Sequence, residues 1–201
     1  MNHLLNEEQF PAGFLPAWFE ARRRHALEQA EQLPEPSRHM ESWRFGAPGN
    51  ESLEHVEAAP PAAPETLAPI IRERASMPEA LRIVYANGLP VSIPEELPEG
   101  LSVMDMEDFV LQCPDTARKY LETETETLGS EKLSALTTAL QHNGLVIMAD
   151  REISLPLEIL HFISGDNVAV FPSTLLIAET GSRLHILERH LSADHGRQFC
   201  G

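Results

Sequence analysis

The sequence GLVIMADREISLPLEILHFISGDNVAVFPSTLLIAETGSRLHILERHL, residues 144–191, decides the fold of this chain. Short runs rich in Val, Ile and Leu alternate there with Gly, Asn, Asp and Pro, a pattern that is typical of strands separated by turns. The four runs are residues 145–149, 157–163, 173–178 and 184–191. We therefore predict a strand-rich unit at the C-terminal end of the 201 residues.

Before this unit the pattern indicates helices and one hairpin. Asn87-Gly88 lies between the apolar runs 81–85 and 89–93, which predicts a β-hairpin because both central residues of such a turn need positive φ. The other predicted elements are a helix from Pro16 to Leu33, a helix over 65–75, a strand over 100–104, a helix capped by Asp105, a helix from Pro114 to Leu121, and a helix from Ser130 that ends in a left-handed cap at Asn143-Gly144.

The predicted fold class is α+β, with four regions along the chain. They are a helical segment at 1–45, a linker at 46–64, a small α/β region at 65–143 and the strand-rich unit at 144–201. The linker is rich in Gly, Ala, Pro and Glu and poor in large apolar side chains. Ordering it would cost about 1 to 2 kcal/mol per residue with little apolar burial in return. The acidic run 122–127 is also expected to be a solvated connection.

Charge and composition exclude several classes of function. The formal net charge of −16 makes phosphate backbones and anionic lipid surfaces poor partners, so we expect neither nucleic-acid nor membrane binding. The N-terminus has no secretory pattern, and Cys113 and Cys200 lack the spacing of a structural zinc site or a disulfide framework. A cytoplasmic protein fits these features. The adjacent arginines at 22–24 are expected to form a solvated surface.

One group of residues could carry chemistry, namely His185, Glu188, His190 and His195, with His161 on a neighbouring predicted strand. Glu188 and His190 share one face of a strand and could bind a metal ion. A metal site needs three or four converging ligands, however, and one strand does not reveal the third. A surface pair is therefore favoured, and no catalytic, cofactor or metal residue is assigned. Cys200 is interpreted as a small apolar filler.

Three segments, taken in order, resemble a known family. LPEPSRHMESWRF, residues 33–45, is similar to an "LPTRKxExWKYT" pattern, with Glu41, Trp43 and Arg44 in matching places. The run LLIAETGSRLHILERH, residues 175–190, resembles an "A-E-x-G-A-x-x-x-x-I-E-x-x" pattern, and the hairpin at 81–93 falls between the two. Together they resemble the N-terminal half of the SufB/SufD family, and SufD in particular. Gly46 and the position of Arg38 depart from the family pattern.

The resemblance implies that 144–201 holds the first rungs of a right-handed parallel β-helix, truncated at Gly201. It further implies a non-catalytic, SufD-like component of the SufBCD scaffold for iron-sulfur cluster assembly. The partners would be a SufB-like subunit and a SufC-like ATPase, bound through a part of the protein beyond Gly201. The complete complex would handle the cluster, and Glu41 and Trp43 would be structural anchors. The alternative is a stand-alone, cupin-like, metal-dependent β-barrel enzyme that uses Glu188, His190 and a further His.

Overall fold

The computed structural model describes residues 14–44, 53, 56–62, 64–123 and 130–201, which form a mixed α and β structure, as predicted. The α-helices are α1 (Ala17–Gln32), α2 (Pro64–Arg74), α3 (Met106–Gln112), α4 (Pro114–Leu121) and α5 (Glu131–Leu140), and short 3-10 turns span Glu41–Trp43 and Gln141–Asn143. The strands are β1 (Glu57–Ala58), β2 (Leu81–Ala86), β3 (Leu89–Ser92), β4 (Leu101–Asp105), β5 (Leu145–Ala149), β6 (Leu157–Ile163), β7 (Val168–Val170), β8 (Thr174–Ala178), β9 (Ile186–Ser192) and β10 (Gln198–Cys200). Most of the acidic run, namely residues 124–127, lies outside the described part.

The last six strands form two stacked layers. Each strand of the first layer (β5, β6, β7) pairs in parallel with the strand three places later, so that the second layer consists of β8, β9 and β10. The resulting sheets have the orders β4-β5-β8, β3-β2-β6-β9 and β1-β7-β10. None of these sheets closes on itself in the described part of the chain, so the β-barrel of the cupin-like alternative is not observed there.

The space between two of the sheets is filled by the inward side chains of the first layer. Leu145 and Ile147 from β5 meet Leu157 and Ile159 from β6, and all four are fully buried. Each such side chain contributes about 1.5 to 3 kcal/mol through removal of its apolar surface from water. This apolar packing holds β6 and, through the ladder, β9 in a defined register.

The helix α1 packs against α5, and its buried residues form a stripe of Phe19, Arg23, Ala26 and Ala30. The prediction that the three arginines form a solvated surface is therefore wrong for Arg23, which is fully buried. Its position falls four residues after Phe19 and three before Ala26, on the same face of the helix. The guanidinium is satisfied there, since Nε donates to the carbonyl oxygen of Ala139 at 2.9 Å and another nitrogen donates to Glu20.

The hairpin is confirmed, whereas the cap predicted at Asn143-Gly144 is wrong. Asn87 and Gly88 have φ values of 50° and 79°, as the turn between β2 and β3 requires. Gly144 instead has φ of −63°, and α5 ends in the 3-10 turn. A side chain at position 144 would place its Cβ 3.1 Å from the carbonyl oxygens of both Gln141 and Ser173, so this glycine serves close packing of the backbone.

Part of the segment predicted as a linker is packed into the structure. Leu53 and Val56 are buried in a cluster with Ala30, Leu136 and Phe171. The two residues of β1 pair in parallel with β7. Leu53 and Val56 are only two apolar side chains, but their burial offsets part of the conformational entropy that is lost when this segment becomes ordered.

Candidate functional site

Three side chains from the parallel pair β6 and β9 converge at the second layer. The register places His161 beside His190, and Glu188 lies two residues before His190 on the same face. The distance from His161 Nε2 to Glu188 Oε1 is 2.8 Å, and His190 Nε2 lies 4.0 Å from the same oxygen. One possible ligand atom from each residue lies within 4.8 Å of the others. The strand pairing therefore builds a cluster of two histidines and one carboxylate.

Neighbouring groups hold these side chains in place. The Thr174 hydroxyl donates to Glu188 Oε1 at 2.8 Å, and Cys200 Sγ lies 3.4 Å from His190 Nδ1. The two imidazole rings stack with centroids 4.7 Å apart and an angle of 5° between their planes. On the other side of His161 lies the ring of Tyr85, with its centroid 5.4 Å away. Each of the three clustered side chains thus has at least one contact outside the group.

Burial falls from the first layer to the second. The side chain of His161 is only 5% exposed, whereas those of Glu188 and His190 are 31% and 43% exposed. The inward neighbours in the first layer are apolar, with Ile159 beside Glu188 in the ladder. The cluster therefore has a buried, apolar base and an open side toward solvent.

The electrostatics favour an ionised carboxylate beside a neutral imidazole. The hydrogen bond from His161 is the largest cause that lowers the pKa of Glu188, and the hydrogen bond from Thr174 acts in the same direction against burial. Burial lowers the pKa of His190, and the neighbouring His161 lowers it further. Both shifts favour, near neutral pH, the protonation states in which these groups can donate electron pairs.

The structure brings together part of the group that the sequence singled out. Glu188 and His190 share a face, as the strand period predicts, and His161 joins them from β6. His185 and His195 are outside this cluster. Cys200 is exposed and adjoins His190, so its interpretation as an apolar filler is wrong. The absence of an assigned metal or catalytic residue stays a prediction, as does the anchoring role of Glu41 and Trp43.

Sequence reasoning did not single out Tyr85. Its hydroxyl is buried, and among the described residues it has no hydrogen-bond partner. It lines a cavity of about 330 Å³ together with His161, Asn87, Gly88 and Phe171. Burial raises the pKa of this phenol well above its ordinary value, so the hydroxyl stays protonated. Only the register of β2 with β6, which pairs Tyr85 with His161, reveals its place beside the cluster.

Comparison with known proteins finds a relative that matches most of this chain. No family model matches the chain. SufD of Bacillus subtilis (strain 168), an iron-sulfur cluster assembly protein, is 25% identical over 187 residues, which are 88% of this chain and 42% of that protein. SufBD family proteins of Mycobacterium bovis and Mycobacterium tuberculosis are 31% identical over 97 residues, which are 47% of this chain and 11% of theirs.

The chain thus spans less than half the length of these curated relatives. The matches agree with the resemblance found in the sequence, and they support membership of the SufB/SufD family. Within that family, the match to SufD covers most of this chain. In the described part of the structure, no helix combines the length and apolarity needed to cross a membrane.

Proposed function

We propose that this chain is a SufD-like, non-catalytic component of an iron-sulfur cluster assembly scaffold and that it forms an N-terminal portion of that component. The observation that carries the proposal is the match to Bacillus subtilis SufD over 88% of the chain. In this role the chain acts in the cytoplasm beside a SufB-like subunit and a SufC-like ATPase. ATP hydrolysis belongs to the SufC-like partner, and the iron-sulfur cluster is the cargo of the whole assembly.

We further propose that the two stacked layers are the first turns of a right-handed parallel β-helix. Three features support this architecture. Each strand of the first layer pairs in parallel with the strand three places later. The inward side chains of different sheets share one apolar core. The second layer also presents strand edges that have no partner in the described part of the chain, as a stack that continues would require.

A co-purification experiment tests the proposed function. The untagged SufB-like and SufC-like proteins of the same organism are mixed with this chain carrying an affinity tag, and in parallel with a version extended beyond Gly201. We expect the extended version to retain both partners, because the implied SufC contact lies beyond the present sequence. Binding is measured as the partner-to-bait ratio after size-exclusion chromatography.

The control is a folded, tagged protein of similar size and net charge, which should retain neither partner. Failure of the extended version to retain either partner, while it elutes as a folded species, would contradict the scaffold proposal. If the chain without the extension also retains the SufB-like protein, the result would support the proposal and locate part of that contact within residues 1–201.

A further inference from the structure

We propose that His161, Glu188 and His190 form a binding site for a divalent first-row transition metal ion. The site rests on the geometry of β6 and β9 and does not depend on the proposed role in cluster assembly. Two imidazoles and one carboxylate are a ligand set that zinc and iron(II) sites in proteins use, with further positions left open to water or another ligand. Hard ions such as Mg²⁺ prefer sites built from oxygen alone.

The distances in the cluster suit a site that closes around an ion. Metal–ligand bonds to His and Glu are about 2.0 to 2.2 Å long, so ligand atoms around one ion lie a little over 3 Å apart. The separation of 2.8 Å between His161 Nε2 and Glu188 Oε1 is slightly shorter, and that of 4.0 Å between His190 Nε2 and Glu188 Oε1 slightly longer. An ion requires changes of about 1 Å or less in these two separations.

The stacked rings define the movement that binding requires. One ion cannot lie in the planes of two parallel imidazoles, so one ring must turn. His161 is buried between Tyr85 and His190 and is fixed in place. The side chain of His190 is 43% exposed and has room to rotate. Within these 201 residues, binding therefore moves His190 toward His161 and Glu188, which are the fixed ligands.

Two neighbours act as positioning residues for the ligands. Metal-binding histidines usually hydrogen-bond through the ring nitrogen that does not contact the metal, which fixes the orientation of the ring. Cys200 Sγ is 3.4 Å from His190 Nδ1, which leaves Nε2 to face Glu188, and because Cys200 is exposed its thiol can follow the ring as the ring turns. Thr174 holds the carboxylate through its hydroxyl. These supporting contacts distinguish the cluster from the simple surface pair of Glu188 and His190 that the sequence favoured.

Zinc binding to the untagged chain tests the proposal by isothermal titration calorimetry with Zn²⁺ as the only ligand. We expect one ion per chain and no heat from Mg²⁺ at the same concentration. Glu188→Gln and His190→Ala should each weaken Zn²⁺ binding by at least about tenfold, the low end of the loss that even a supporting residue causes. Both side chains are partly exposed, so these variants should fold, which circular dichroism checks.

The matched control is His185→Ala, since His185 is an exposed histidine just before β9 and outside the cluster. It should bind Zn²⁺ as the unchanged chain does.

The positioning role of Cys200 is tested by Cys200→Ala, with Cys113→Ala as the control because the Cys113 side chain lies in a different cluster. We expect only Cys200→Ala to weaken binding and to alter the visible absorption of bound Co²⁺. No Zn²⁺ binding, or equal losses in the His185 and His190 variants, would overturn the proposal and leave the co-purification result unaffected.

Discussion

Replacement of Phe19 by alanine should lower the free energy of unfolding by about 3 to 5 kcal/mol, the range for removal of a buried aromatic side chain. Phe19 has no exposed surface and packs in one cluster with Met106, Phe109, Val146 and Ile177. These residues belong to α3 and to strands of both layers, so the ring ties α1 to the sheet. The cavity left by the substitution would face side chains that cannot all move to fill it.

Urea-induced unfolding followed by circular dichroism measures this loss. Phe14→Ala is the matched control, because Phe14 is 73% exposed just before the same helix and its removal should change stability by no more than about 0.5 kcal/mol. Similar unfolding midpoints for the two variants would show that α1 does not depend on the contacts of Phe19. Loss of cooperative unfolding in Phe19→Ala alone would agree with the expected destabilisation.

The second large effect is expected at Glu158, a fully buried carboxylate in β6 on the opposite face from the histidine cluster. Its oxygens accept hydrogen bonds from the backbone N–H and the hydroxyl of Ser76, at 2.7 and 2.6 Å, and from Arg82 Nε at 2.9 Å. Arg189 Nη1 lies 3.8 Å from Glu158 Oε1. Glu158→Gln should therefore lower stability by about 3 kcal/mol, because it leaves the surrounding charged donors without their buried partner.

Glu152→Gln is the control for this prediction, since the ion pair of Glu152 with Arg183 is exposed and 3.7 Å long. Its effect should stay below about 1 kcal/mol, as is usual for surface pairs. Equal effects of the two substitutions in urea unfolding would contradict the assigned role of Glu158.

The contribution of Glu158 should also depend on pH. Burial alone would raise the pKa of this carboxyl, but the hydrogen bonds from Ser76 and Arg82 outweigh burial and hold the pKa below its ordinary value of 4.5. A carboxyl with a lowered folded-state pKa stabilises the fold above the unfolded-state pKa. The difference in stability between the unchanged chain and Glu158→Gln should therefore be full near pH 7 and shrink as the pH falls below about 4.5.

Elements with a strong local pattern could be predicted from the sequence, while features set by distant partners could not. The hairpin at Asn87-Gly88 and the cap at Asp105 follow from the conformational needs of those residues, and the structure has both. The strands β7 and β10 were not predicted, because three residues each are too few to show an alternation. The burial of Arg23 depends on the carbonyl group of Ala139, which lies far along the chain.

The candidate site likewise combines features that a local sequence pattern predicts with features that depend on distant partners. The two-residue period of a strand places Glu188 and His190 on one face, which the sequence alone reveals. The third member, His161, joins them only through the parallel register of β6 with β9. Cys200 reaches His190 because β10 stacks on β7 at the end of the second layer. Long-range strand pairing, which leaves no local trace, therefore assembles the cluster.

The strands at the two ends of each sheet differ in kind. On one side, two of the sheets end in strands that pair in antiparallel fashion, β3 and β4, and the third ends in the two-residue β1. Pro90 in β3 also lacks an N–H group for any further partner. On the other side, β8, β9 and β10 each end a sheet and have no further partner strand among the described residues. In the described part of the chain the first side is thus bounded by antiparallel or very short strands, and a further strand in the same parallel arrangement would pair with β8, β9 or β10.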